Sequence, residues 1–294
     1  MDTRGGQKTS AFSRSNIRRR IFRSSAILAT SLAAFAPKPY VKAATKDYTK
    51  RLKESALTQP DLGKSLSTGS ADPPLRKGGP YPWKTEIVTT TFWVGEKATK
   101  NNPVPNLASS WDTRWATSYG GTDTPDRTER KSFQPASFTP RQNPFYVALP
   151  YNDVSRGEHK PEAAQVIPWF KEEYKGPGVS VLKDRWIAIR RGNRTAYAQW
   201  EDCGPFRTDH SAYVFGNERP KPNLNKGAGL DVSPAVRDYL GMNDTDVTDW
   251  KFVEYKEVPQ GPWSQLGENN PFVLQRRIDK TRLVEVEETK KRGG

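Results

Sequence analysis

YAQWEDCGPFRTDHSAYVFGNERPKPNLNKGAGLDVSPAVRDYLG, residues 197–241, is the part of the chain where strand signals, acids and a capped helix meet. Within it, WEDCGPF places Glu201 and Asp202 at the end of an alternating run, just before a Gly-Pro turn that stops strand pairing. Further on, GLDVSPAVRDYLG places Asp231 two residues ahead of a helix start. Ser233 suits the N-cap, Pro234 the first helical position and Gly241 the left-handed stop, with Ala235, Val236 and Leu240 as the apolar positions. A strand that hands over to a helix at a fixed point can aim a carboxylate, here Asp231, into a groove.

EDCGPF followed by LDVSPAVRDYLG resembles the double-psi β-barrel of rare lipoprotein A, a fold shared with expansins and barwin-like proteins. That family reads roughly NDRGPF, then IDLS, an Ala-rich helix and LG. Upstream, ATSYGG (residues 116–121) is similar to the family's opening strand, and FYVALP (residues 145–150) to a strand ending in LP. The four phrases follow the family's order over residues 116–241. The resemblance implies a mostly β fold, a six-stranded double-psi β-barrel with short helices and loop insertions, and an activity on cell-wall polysaccharide. One departure matters: the family carries a His four residues before the proline of LP, and that position here is Tyr146. Since the His is tied to lytic activity and a tyrosine does not shuttle protons near neutral pH, the departure puts cleavage in doubt.

Of the 294 residues, 34% are hydrophobic, with 24 Pro and 22 Gly, a composition that favours a loop-rich β protein over a helical one. Residues 1–44 read as an export signal: a basic segment with Arg18, Arg19 and Arg20 precedes the apolar SSAILATSLAAFA, which is too short to span a bilayer. Arg19-Arg20-Ile21-Phe22 also fits a twin-arginine pattern, so a periplasmic or extracellular location is expected. The alternative is a basic tail that binds acidic surfaces. Up to Ala43 there are nine Lys/Arg against one Asp, so 8 of the net charge of +14 belong to this segment. What remains is too modest, and too little interleaved with aromatics, to point to nucleic acid. Residues 45–82 read as a flexible spacer, residues 83–263 as the barrel domain, and residues 264–294 as a charged tail with a peripheral strand or no fixed structure.

The domain is expected to open with a strand in TEIVTTTFWVGE (residues 85–96) and to pass through residues 101–123 into a second. DRWIAIRRGNRTAYAQWED reads as a hairpin around Gly192-Asn193 that delivers Glu201 and Asp202 to the barrel rim. Residues 157–178 read as an insertion holding a Pro-interrupted helix, and residues 249–259 as a closing strand. Cys203 is the single cysteine, so no internal disulfide exists, and it reads as a packed residue rather than a nucleophile.

For chemistry, sugar-binding grooves combine flat rings with carboxylates, and Trp111, Asp112, Trp115, Tyr119, Tyr146 and Trp200 are the candidates for substrate binding. Each is equally consistent with a core ring or a turn acid. Asp231 and Asp202 are the catalytic candidates, because they match the acids of IDLS and NDRGPF. Asp202 has the alternative of tying down its turn, and Asp231 that of an acid placed near a helix start. No HExxH, P-loop or G-x-S-x-G is present, Asp209-His210 lacks a third ligand, and no metal or cofactor is expected. A monomer that acts on peptidoglycan or another wall polysaccharide is the leading expectation, with lytic cleavage of the strands as one way of doing so: the missing His tilts toward binding and the retained Asp231 toward cleavage. An expansin-like wall binder without cleavage and a barrel that binds a protein stand beside it.

Overall fold

A computed structural model describes residues 81–99 and 104–292; the expected export signal and most of the spacer lie outside the described residues. Among the described residues, ten strands and six α-helices follow in order. The first part comprises β1 (Lys84–Thr91), α1 (Trp115–Tyr119), β2 (Arg130–Lys131), β3 (Gln134–Pro135) and β4 (Tyr146–Leu149). Next come β5 (Val154–Ser155), β6 (Glu158–His159), α2 (Ala163–Val166), α3 (Phe170–Glu173), β7 (Arg185–Arg191) and β8 (Arg194–Cys203). The chain continues through α4 (Ser211–Val214), β9 (Leu230–Val232), α5 (Pro234–Leu240), β10 (Thr245–Phe252) and α6 (Pro271–Arg292).

Six strands close a barrel in the order β1-β10-β7-β8-β4-β9. β1 with β9 and β4 with β8 run parallel, and the other pairs run antiparallel, a mixed arrangement compatible with a double-psi barrel. The hairpin of β7 and β8 forms as its alternation predicts, with Arg191 opposite Arg194 around the Gly192-Asn193 turn. β1 is built from Ile87, Val88, Thr89 and Thr90, all buried, β-branched residues that fit a pleated surface with packing on both sides. α5 forms with the expected caps: Ser233 accepts from the Val236 N–H, and Gly241 takes the left-handed conformation.

Two hydrophobic clusters result. The larger joins Val147, Trp200, Val232, Trp250 and Phe252, with Trp200 stacked on Phe252 at 6.0 Å between ring centres. The smaller uses the opposite face of β4 and gathers Phe92, Val94, Trp115, Tyr119, Tyr146 and Ala148. Beneath it lies a buried acid, Asp123, whose Oδ2 accepts from the hydroxyls of Tyr146 (2.9 Å) and Tyr119 (3.1 Å). Arg130 neutralises Asp123 through Oδ1 and reaches Asp238 on α5 at 2.9 Å.

Three expectations need correction. Residues 115–119 form a helix rather than a second strand; Trp115 and Tyr119 lie four apart, on one helical face, and both enter the smaller cluster. The last barrel strand lies earlier than expected, because Thr248, Trp250 and Phe252 alternate inward while residues 255–257 make a 3₁₀ turn. The C-terminal segment is a 22-residue helix, not a strand or an unstructured tail. Its run is rich in Leu, Gln, Arg, Lys and Glu, good helix formers, and Asn270 Oδ1 accepts from the Phe272 N–H at its start. Packing on the barrel also continues past residue 263: Ser264, Asn270 and Phe272 are buried. The insertion at residues 157–178 does contain a helix interrupted at Pro168, present as α2 and α3.

Arg130→Met tests the arrangement beneath the smaller cluster. Removing the guanidinium leaves Asp123 buried without its countercharge, so the variant loses about 3–5 kcal/mol of stability in urea unfolding. A loss below 1 kcal/mol would show that Asp123 does not depend on Arg130.

Candidate functional site

One irregularity in the barrel sets the position of the acids. Between β4 and β8 the register runs Val147↔Trp200 and then Ala148↔Asp202, so Glu201 has no partner in the ladder. A bulge of this kind re-aims side chains, and here it separates the acid pair read from the sequence. Asp202 falls into line with Ala148, which on its other side faces Asp231 of β9, which in turn faces Thr90 of β1. Residues directly opposite in a ladder share a face, so Asp202, Ala148, Asp231 and Thr90 form one row across four strands. The two acids are thus two strand spacings apart, roughly 10 Å across the sheet, with only the methyl group of Ala148 between them.

Asp202, Ala148 and Asp231 of that row line the floor of a cavity of about 570 Å³. One wall is the segment carrying Val104, Pro105, Asn106, Ser109 and Ser110, and the other is the turn from Gly204 to Thr208. Gly204 packs closely on the acid: a Cβ there would stand 3.3 Å from Asp231 Oδ2, a tight contact that the carboxyl would have to yield to.

The two carboxylates are held very differently. Asp231 Oδ1 accepts a hydrogen bond from the Thr90 hydroxyl. Burial raises its pKa to about 7, the Thr90 bond counters this, and the nearby Glu96 and Asp202 carboxylates add to the rise. Asp202 Oδ1 accepts from the Ser110 N–H (2.8 Å), the Ser110 hydroxyl (2.9 Å) and the Cys203 N–H (2.7 Å). Burial raises the pKa of Asp202 too, with those donors working against it. Asp202 therefore fastens Ser110, on the 104–110 wall, to the end of β8, and only its bond from the Cys203 N–H is local to its own turn. Cys203 lines the cavity with its Sγ 3.2 Å from the Tyr151 carbonyl, and burial pushes its thiol well above the usual range, so it is a packed thiol rather than a thiolate.

Glu201 belongs to a different place. It is buried against Lys183 (3.0 Å) and the Asn269 amide (2.9 Å), joining β8 to the segment before α6, and does not line the cavity.

Of the ring candidates, Trp115, Tyr119, Tyr146 and Trp200 are core residues that offer no face to the cavity. Tyr146 is fixed by accepting from the Val94 N–H (3.1 Å) and donating to Asp123, and burial raises its hydroxyl well above the ordinary value. Trp111 is half-buried, donating to Asn152 Oδ1 at 3.0 Å and meeting Trp200 edge to face. Asp112 accepts from the Arg114 N–H at 2.9 Å. Neither lines the cavity. The rings that do are Phe92 and Phe206, along with Glu96 as a third acid. Phe206 was in plain view as the last letter of GPF but reads from sequence only as part of a turn; Glu96 reads only as the end of a strand.

His210 pairs with Glu218 at 3.1 Å and Asp209 with Arg207 at 3.0 Å, and among the described residues no group of three or more His, Cys, Asp or Glu stands ready for a metal ion. No protein-family model matches the chain, and no curated protein matches it.

The shifted acid carries a stability signature. Because its folded pKa lies above the unfolded value, stability from Asp231 is complete below about pH 4 and is lost as pH rises through about 7. In Asp231→Asn this dependence disappears, so the variant gains on the wild type by roughly 1–3 kcal/mol between pH 4 and 8 in urea unfolding. A difference that stays flat across that range would refute the shift.

Proposed function

We propose that this protein acts on a cell-wall polysaccharide, with peptidoglycan glycan strands as the leading substrate, and that Asp231 is the proton carrier of a lytic cleavage. The observation that carries this reading is one carboxyl group among those lining the cavity, Asp231, kept protonated close to neutral pH by burial. A carboxyl with a pKa near 7 suits general acid work at physiological pH.

The division of labour between the acids favours the lytic route over hydrolysis. Hydrolysis with two carboxyls needs the second one free to act as nucleophile or to activate water. Asp202 is committed to Ser110 and Cys203, and Glu96 accepts from the Asn106 side-chain amide at 2.9 Å. With one free carrier, Asp231 donates its proton to the bridging oxygen as the glycosidic C–O bond breaks. The sugar's own hydroxyl then closes on the anomeric carbon and returns its proton to Asp231, which leaves an anhydro end and consumes no water.

The order of the four sequence phrases and the closed mixed barrel support placing the chain beside rare lipoprotein A and the expansins. The basic and apolar leader supports export, and among the described residues no helix is long and apolar enough to cross a membrane. A second reading, expansin-like binding without cleavage, is favoured by Tyr146: it stands at the family's His position but is enclosed by Asp123 and Val94, so β4 brings no second proton carrier to the groove.

Purified, peptide-stripped glycan strands, incubated with wild type or Asp231→Asn and analysed by mass spectrometry, separate these readings. The expected result is anhydro-ended fragments from the wild type, a loss of roughly 10²–10⁴ in rate for the variant, and a wild-type rate that falls as pH rises through about 7. Equal products from the variant would overturn the role of Asp231. No products from either, with both pelleting with walls, would establish the binding reading.

A further inference from the structure

Phe206 has no folding reason to be phenylalanine. Its backbone has φ +58°, in the left-handed region that disfavours bulky side chains. The Arg207 N–H donates to the Pro205 carbonyl at 2.7 Å, closing a three-residue turn with Phe206 at its apex. A tight turn of this hand with a non-glycine apex is rare and strained. Burial does not compensate, because Phe206 remains 44% exposed, unlike the enclosed Trp200 and Tyr146. The turn is nevertheless held firmly: Gly204 donates to the Leu149 carbonyl at 3.1 Å, and Arg207 grips Asp209 through two bonds of 3.0 Å. Strained residues that the surroundings hold in place cluster at ligand-binding sites.

The ring borders the cavity floored by Asp231, facing the wall that carries Val104 and Pro105. Two apolar edges with acids beneath them match a six-membered sugar ring, whose faces are C–H and whose rim is hydroxyl. In β-1,4-linked gluco-configured sugars every ring substituent is equatorial, so both faces are continuous C–H surfaces. We propose that Phe206 is the stacking platform that seats a neutral, β-1,4-linked gluco-configured pyranose beside Asp231. The assignment rests on the glycan reading above and narrows it to a sugar class. An axial hydroxyl breaks the stacking face, and an anionic sugar meets the acids Asp202 and Glu96 that line the same cavity, so galacturonate polymers are disfavoured.

The probes are chitohexaose and galactohexuronate, with binding measured by titration calorimetry and stability by thermal unfolding. Wild type binds chitohexaose at least tenfold more tightly than galactohexuronate. Phe206→Ala weakens chitohexaose binding about tenfold, the effect of losing one stacked ring, with little change in melting temperature. Phe206→Trp restores binding. Phe206→Gly gives the signature that a merely structural residue would not: relief of the turn raises the melting temperature by about 2–5 °C while binding weakens as in the alanine variant. If wild type binds chitohexaose and Phe206→Ala binds it equally well, the platform is overturned and the glycan reading stands. If wild type binds neither chitohexaose nor wall glycan strands, both fall.

Discussion

The site depends on a register. One unpaired residue at position 201 shifts the end of β8 so that Asp202, and not Glu201, faces Ala148, and the antiparallel partner on the other side of Ala148 is Asp231. Without the bulge Ala148 would face Glu201, and the acid sharing a row with Asp231 would be a different one. Ala148 itself is a requirement: a larger side chain in the middle of the row would fill the space that the cavity occupies.

Chemically equal carboxylates take separate roles through their surroundings. Asp202 is surrounded by donors supplied by a neighbouring loop, so its charge is used in holding that loop. Asp231 has one hydroxyl partner, is enclosed by the barrel and has other acids nearby, so its charge is disfavoured and its proton retained. A helix start behind an acid ordinarily favours the charged form. Here burial is the larger influence, and the carboxyl is shifted upward.

The acids and the architecture were legible in the sequence because both sit in continuous phrases with local meaning: alternation up to Trp200, a Gly-Pro stop, and a cap-Pro-apolar-Gly helix. The rings were not. Trp115, Tyr119 and Tyr146 read as a sugar-facing set, yet which face of a strand or short helix meets solvent is decided by what the rest of the chain lays against it. Here a second hydrophobic cluster on the far face of β4 takes all three, organised around Asp123 and Arg130 from distant segments. Glu201 was placed on the rim with Asp202 because alternation alone cannot announce a bulge. The C-terminal helix was missed for the opposite reason: three apolar residues within four positions resemble a strand, while the helix-forming composition around them outweighs that pattern.

The bond from Asp202 to Ser110 makes one of the cavity's walls conditional on a proton. An ionised carboxylate accepts strongly from both the main chain and the hydroxyl of Ser110 through Oδ1, whereas a carboxyl protonated on Oδ2 is a weaker acceptor. Acidification therefore weakens the hold on Ser110 in the same direction as it protonates Asp231, so the fastening of that wall and the charge on the facing acid respond to one common variable, the acidity of the surrounding medium.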